Sequence, residues 1–363
     1  MSTLRAEIVD LIREEGPIGI GRYMALALGH PQHGYYMTRD PFGRDGDFTT
    51  APEISQMFGE LVGLWVAHLW QAMGTPSRLR LVELGPGRGT LMADILRAAR
   101  IVPGLRQAIS IHLVETSPVL RRRQAATLAD SEPVWHDNVG EALSGPAIVV
   151  ANEFLDALPL DQFVMTPEGW RERLVGLDAA GNLAFGLAAG TEEALRLAAP
   201  AGTTFEQPTL ALDIVAQVAG HIAAEGGAGL FIDYGSARSG FGDTLQAMKR
   251  HAFVDPLAEP GEADLTVHVD FERMGQAARA AGAALHGPAS QRDFLLALGL
   301  AQRAQSLSLK ADADQRAAIS AAFDRLTEGG ETGMGDLFKV LALSHRNLPP
   351  LPGFDLHRLP DQG

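Results

Sequence analysis

Between Leu79 and Leu84 the apolar positions follow the short period of a strand, broken only by Arg80 and Glu83. Gly85-Pro86-Gly87-Arg88-Gly89 comes next, and beyond it Leu91, Ile95 and Ala99 recur at i, i+4 and i+8, with Met92 and Leu96 beside them. The period therefore changes from strand to helix across a glycine-rich turn. Glycine permits positive φ and close approach of a ligand to the backbone. The helix that follows aims its free N–H groups at the same place.

The rhythm repeats along the chain. Ile109–Val114 predicts a second strand ending at Glu115, and Val134–His136 a short third followed by Asp137 and Asn138. Ala147–Ala151 is a wholly apolar run, as in a strand buried on both faces, and it ends in Asn152-Glu153-Phe154-Leu155-Asp156. Gly229–Ile232 predicts a fifth strand, while Ala283–His286 and Phe338–Leu343 supply two more. Helices are expected over Leu210–Ala224, from an Asp270 cap to Ala281, and over Arg292–Leu300 and Ala313–Leu326. Strands alternating with helices imply an α/β fold with a mostly parallel sheet.

Two stretches break the rhythm. Gln162–Met165, Arg171–Leu177 and Leu183–Gly186 read as short strands of an antiparallel insertion. Residues 236–269 read as a second, loop-rich insertion. At the start, Leu4, Ile8, Leu11 and Ile12 mark an amphipathic helix. Residues 16–60 lack a clear period but are dense in Gly, Pro and aromatics, including Tyr35 and Tyr36, which suggests an ordered lid or substrate-facing segment. Ile54, Phe58, Leu61, Val62, Trp65 and Leu69 then set out a packing helix. The expected division is 1–60 for the N-terminal helix and lid, 61–153 with 209–343 for the core, 154–208 for the insertion, and 344–363 for an irregular tail.

The glycine turn excludes two ligands. A nucleoside-triphosphate loop needs Lys followed by Ser or Thr after its last glycine, whereas Gly89 precedes Thr90 and Leu91. A dinucleotide fingerprint needs glycine at its sixth position, which is Thr90 here. A glycine-rich turn can also be a turn and nothing more. Glu115 suits a ribose diol, because a carboxylate accepts from both hydroxyls, but it can equally cap the helix beginning at Thr116-Ser117-Pro118. Asp137 and Asn138 stand where an adenine edge is read. Asn152, Glu153 and Asp156 lie past the carboxyl end of a parallel strand, where ligands bind, or else form a helix-capped turn. His30 and His33 have no third ligand in view, so a metal is not expected.

The chain has 363 residues, 46% of them hydrophobic, and no cysteine, so disulfides and thiolate chemistry are excluded. A net charge of −14 disfavours nucleic acid and suits a basic protein substrate, or solubility alone. No apolar run has the length of a membrane span. The first fifteen residues fit neither a secretion signal nor a mitochondrial presequence.

The run Glu83-x-Gly85-x-Gly87-x-Gly89 resembles the first motif of class I methyltransferases. A carboxylate there suits the ammonium and sulfonium of S-adenosyl-L-methionine and would repel a pyrophosphate. With Gly46-Asp47-Phe48-Thr49-Thr50-Ala51-Pro52-Glu53-Ile54-Ser55, Asn152–Pro159 and Asp264-Leu265-Thr266-Val267-His268-Val269-Asp270-Phe271, the chain resembles the MidA-type methyltransferases. That resemblance spans about Gly16 to Leu343 and implies a Rossmann-like class I fold: a seven-stranded, mostly parallel sheet with helices on both faces. It implies S-adenosyl-L-methionine as cofactor, held by Glu83, Gly85, Pro86, Gly87, Gly89, Glu115, Asp137, Asn138 and Asn152. It further implies symmetric arginine methylation of a respiratory complex I subunit during assembly. Glu153, with Asp156 or Asp47, is the expected guanidinium clamp. Mitochondrial members carry a transit peptide that this chain does not show, which suggests a bacterial, cytoplasmic member. A methyltransferase for another acceptor, or an assembly factor without catalysis, stays open on the residues alone.

Overall fold

Strand β1 (Leu79–Leu84) lies inside the principal sheet of the computed structural model, which describes residues 3–41, 50–330 and 333–354. The other strands are β2 (Ile109–Val114), β3 (Val134–His136), β4 (Ala147–Asn152), β5 (Gly227–Ser236), β6 (Ala284–Ser290) and β7 (Phe338–Ser344). Their order is β6-β7-β5-β4-β1-β2-β3, and the two-residue strand Val269–Asp270 pairs with the end of β5 to make eight. Only β7 runs antiparallel to its neighbours along that path. The chain moves outward from β1 to β3 and then returns to β4 on the other side. That reversal opens a crevice at the carboxyl ends of β1 and β4.

The strands are apolar because both faces are covered. Leu81, Ile148, Val150, Leu230, Ile232, Val340 and Ala342 pack in one core with residues of helices Gln56–Ala72 and Thr90–Ala99. Val82, Leu84, Val149, Ala151, Phe231 and Leu341 face the opposite core, beneath helices Thr209–Glu225 and Phe271–Ala280. Asp270 caps the latter helix by accepting from the Arg273 N–H at 3.0 Å, as its sequence suggests.

The expected antiparallel insertion forms strands Asp161–Thr166, Gly169–Leu177, Leu183–Leu187 and Thr204–Gln207. The pattern missed the last of these and also Ile18–Gly19, which pairs with Gly169–Leu177 and completes a five-stranded sheet. Residues 236–269, expected as loops, include a three-stranded sheet of Gln246–Lys249, Ala252–Val254 and Asp264–Thr266. The aperiodic segment after Gly16 hides a helix, Ile20–Gly29, in which Ile20, Gly21, Tyr23, Met24, Ala27 and Leu28 are all buried. Its exposed positions Arg22, Ala25 and Gly29 supply a single polar side chain, so the buried face has little polar contrast and the periodicity missed it. These parts share a third core containing Leu4, Tyr23, Tyr35, Val175 and Leu265. The expected helix Arg292–Leu300 is divided at Gly299 (φ 96°) into Gln291–Ala297 and Leu300–Ser308. Among the described residues, no helix is long and apolar enough to cross a membrane.

Candidate active site

Gly85, Gly87 and Gly89 all adopt positive φ, at 60°, 52° and 81°. A Cβ on Gly85 would stand 2.7 Å from the Phe154 ring, so the turn and the loop after β4 touch only because a side chain is missing. Gly89 serves the fold, as the left-handed cap of helix Thr90–Ala99. Above the turn lies a cavity of about 730 Å³, whose walls include Tyr36, Gly85, Gly87, Glu115, Asp137, Asn138 and Glu153. A smaller cavity of about 40 Å³ adjoins it and is lined by Glu53, Glu83, Pro86, Thr90, Asn152 and Glu153, among others. Gly85, Gly87 and Glu153 belong to both walls.

The small cavity contains two acceptors in need of a donor. Glu83 is 3% exposed, and among the described residues its Oε2 has no hydrogen-bond partner, nor has the buried Asn152 Oδ1. Burial pushes the Glu83 carboxyl up to about 8, against the opposing effect of the Met92 N–H. An orphaned buried acceptor costs about 1–3 kcal/mol, which a ligand bearing N–H groups would recover.

In the larger cavity, Glu115 is tied down beside the start of the next helix without being its cap. Its Oε1 accepts from the Ser117 N–H at 2.8 Å and its Oε2 from Gln124 Nε2 at 3.1 Å, while it still lines the cavity. The helix cap itself is Ser117, whose Oγ accepts from the Leu120 N–H. Gln124 also donates to the Gly87 carbonyl and so ties β2 to the glycine turn. Asn138 caps the turn Val139–Ala142, and the exposed Asp137 accepts from Arg121 at 2.7 Å.

Glu153 has φ 52°, a left-handed conformation that a residue with a side chain adopts at a cost of about 1–3 kcal/mol. Its Oε1 accepts from the Ala51 N–H and from Asn152 Nδ2, each at 3.0 Å. Burial pushes its carboxyl up to about 7, with Ala51 holding it down and Asp233 adding to the rise. Asp233 fixes the loop: its Oδ2 accepts from the N–H groups of Phe154, Leu155 and Asp156, and its Oδ1 from that of Tyr234. Burial and the neighbouring Asp233 and Asp264 carboxyls raise Asp156 well above the carboxylate range. Asp156 is not part of either cavity wall; it stands behind Glu153. Asp47 lies outside the described residues.

Sequence reasoning gave no role to Tyr36, Glu53, Asp233 or Asp264. The Tyr36 hydroxyl donates to Asp264 at 2.8 Å across 228 residues of chain, and its carbonyl accepts from Ser117 Oγ at 2.6 Å. Asp40 accepts from Arg88 of the glycine turn at 2.9 Å and pairs with Arg123 at 3.2 Å. The N-terminal segment is thereby bound across the crevice. Tyr36 and Asp264 both lie in stretches that drew attention, but a contact so distant in sequence leaves no local signal. His30 and His33 each reach Glu7, at 3.2 and 3.3 Å, and no group of three or more His, Asp or Glu among the described residues could hold a metal.

The ligand this crevice fits follows from its donors and acceptors. A pyrophosphate beside the glycine turn would face the carboxyls of Glu53 and Glu83. An amino-acid ammonium would meet the free oxygens of Glu83 and Asn152, leaving the larger space for an adenosyl group. Fold and crevice together define a class I methyltransferase that uses S-adenosyl-L-methionine.

The chain belongs to the family described as "Putative S-adenosyl-L-methionine-dependent methyltransferase", whose model matches residues 61–289. It is 36% identical to the Drosophila melanogaster protein arginine methyltransferase NDUFAF7 homolog, mitochondrial, over 97% of this chain and 87% of that protein. To the human protein arginine methyltransferase NDUFAF7, mitochondrial, it is 37% identical over 92% of this chain and 81% of that protein. It also resembles a crystal structure of a likely methyl transferase from Burkholderia thailandensis bound to S-adenosyl-homocysteine. There the TM-score is 0.84 and the identity 32%, covering 96% of this chain and 93% of that one.

Proposed function

We propose that this methyltransferase modifies an arginine of a protein, a respiratory complex I subunit, during assembly of that complex, and that it works in a bacterial cytoplasm. The arginine specificity of the named relatives supports the acceptor. The observation that carries the reading is Glu153, whose carboxyl borders both cavities and is raised to about 7. The cofactor supplies an electrophilic methyl group on a sulfonium. Glu83 and Asn152 would hold its amino-acid end, Gly85, Pro86 and Gly87 would admit it to the turn, and Glu115, Asp137 and Asn138 would hold its adenosine.

A guanidinium stays protonated in water and is a poor nucleophile. When one of its nitrogens gains a methyl group, that nitrogen must shed a proton. Glu153 pairs with the guanidinium, aims one nitrogen and accepts that proton, while Asp233 holds the loop that presents it. The experiment is tritiated methyl donor added to lysate of the source cells with this gene deleted, with and without the purified chain. Acid hydrolysis of the labelled band should release methylarginine; label in another residue or in small molecules would contradict the reading.

The adenosine assignment has its own test. Glu115→Ala should weaken S-adenosyl-homocysteine binding about tenfold by calorimetry, the loss of one charge-assisted hydrogen bond. An unchanged dissociation constant would remove Glu115 from the ribose.

A further inference from the structure

We propose that a second, open groove, of about 830 Å³ and walled by Tyr234, Phe338 and helix Ala313–Thr327, receives an extended basic segment of the methyl-accepting polypeptide. The inference rests on the reading that the acceptor is an arginine within a protein.

The placement follows from strand geometry. Alternate residues of a strand share a face. In β5, Leu230 and Ile232 belong to the core beneath helices Gln56–Ala72 and Thr90–Ala99, and Tyr234 continues that row. In β7, Val340 and Ala342 belong to the same core, and Phe338 continues their row in register with Tyr234. Asn152 extends the row of Ile148 and Val150 in β4, and Glu83 that of Leu79 and Leu81 in β1. Asn152 pairs with Ile232, so Tyr234 stands one step beyond it on the adjacent strand. The groove and the small cavity therefore open on the same face and at the same edge of the sheet. Helix Ala313–Thr327 also touches the turn Ala51–Ile54, whose first N–H binds Glu153.

The chemistry of the wall selects the occupant. Among the described residues of the wall, Asp324 and Glu328 are exposed against one basic residue, Arg325, in a chain of net charge −14. Tyr234 and Phe338, packed edge to face with ring centroids 6.0 Å apart, line it with aromatic surface, and Met334 and Leu337 add apolar surface. A small acceptor could be held in the crevice alone and would leave this groove without use. A polypeptide whose target arginine enters at Glu153 must lay its flanking residues somewhere, and this groove opens on the same face and edge of the sheet as the small cavity that Glu153 borders.

The absence of cysteine provides a direct test. Asp324→Cys, and Ala201→Cys on the exposed turn of the antiparallel insertion as control, are each coupled to a bulky polyethylene-glycol maleimide. Methyl transfer to protein in the deletion lysate and the S-adenosyl-homocysteine dissociation constant are measured before and after coupling. The proposal expects coupling at 324 to lower protein methylation at least about tenfold with cofactor affinity unchanged, and coupling at 201 to alter neither. Full protein methylation by the chain coupled at 324 overturns the groove and leaves the arginine reading standing. Transfer by the uncoupled chain to small molecules alone overturns the polypeptide occupant together with that reading.

Discussion

Glu153→Gln should lower kcat for methyl transfer by about 10³, with the dissociation constant of S-adenosyl-homocysteine within about twofold of the parent. Glutamine keeps an oxygen that can accept from the Ala51 N–H, so the contact between the N-terminal segment and the loop after β4 survives. What disappears is the charge that pairs with the guanidinium and the base that takes its proton. The pH profile separates this from a structural effect. In the parent, kcat/KM rises through about pH 7 as Glu153 ionises, and the variant lacks that limb. Stability moves in the opposite sense. The folded carboxyl holds its proton to about 7 and the unfolded one only to its ordinary 4.5, so its contribution is fully present below 4.5 and is lost as pH rises through 7. Glu153→Gln should consequently raise the melting temperature relative to the parent at pH 8 and not at pH 4. A variant with parental turnover, or one whose cofactor affinity falls in step with its rate, would remove Glu153 from the chemistry.

The second large effect belongs to Glu83→Gln, which should weaken cofactor binding about 100-fold, equivalent to about 2.7 kcal/mol at 1.36 kcal/mol per decade. The buried carboxyl is protonated to about pH 8 when nothing faces it, and an arriving ammonium favours the anion. Binding at pH 7 therefore releases a proton, and affinity should rise by up to about tenfold per pH unit from pH 6 toward 8. Above that the ligand's own α-amino group, with an ordinary pKa of about 8, begins to lose the proton that makes it a cation. Calorimetry in buffers of different ionisation enthalpy reads the proton release directly. In Glu83→Gln the release should vanish and the affinity below pH 8 should become flat; a persistent pH dependence would place the proton elsewhere.

The strands that carry the crevice were legible because burial on both faces leaves long apolar runs, and because the residue ending each run is polar. Glu115, Asn152 and Glu153 were reached in this way, from position, and Glu83 through the glycine-turn motif that it opens. The segment Ile20–Gly29 was not, since its exposed positions Arg22, Ala25 and Gly29 supply only one polar side chain to set off the buried face. Neither was the pairing of Ile18–Gly19 with Gly169–Leu177, where two residues give no period at all. The support beneath the site was hidden for another reason. Asp233 looks like the polar end of one more strand, yet its carboxyl is committed to four N–H groups, three of them in the loop that presents Glu153. Asp156 reads as a natural partner for Glu153 at a spacing of three, but the same network places it behind the cavity wall. Spacing reports which residues share a loop, while their direction depends on contacts made across the fold.

The account depends most on how the cofactor lies across the glycine turn. A crystal structure of the chain with S-adenosyl-homocysteine measures this directly. The predicted result is an amino group within hydrogen-bond distance of Glu83 Oε2 and Asn152 Oδ1, the ribose at Glu115, and the sulfur turned toward Glu153. An amino group bound away from Glu83, or a sulfur facing Asp137 and Asn138, would contradict it.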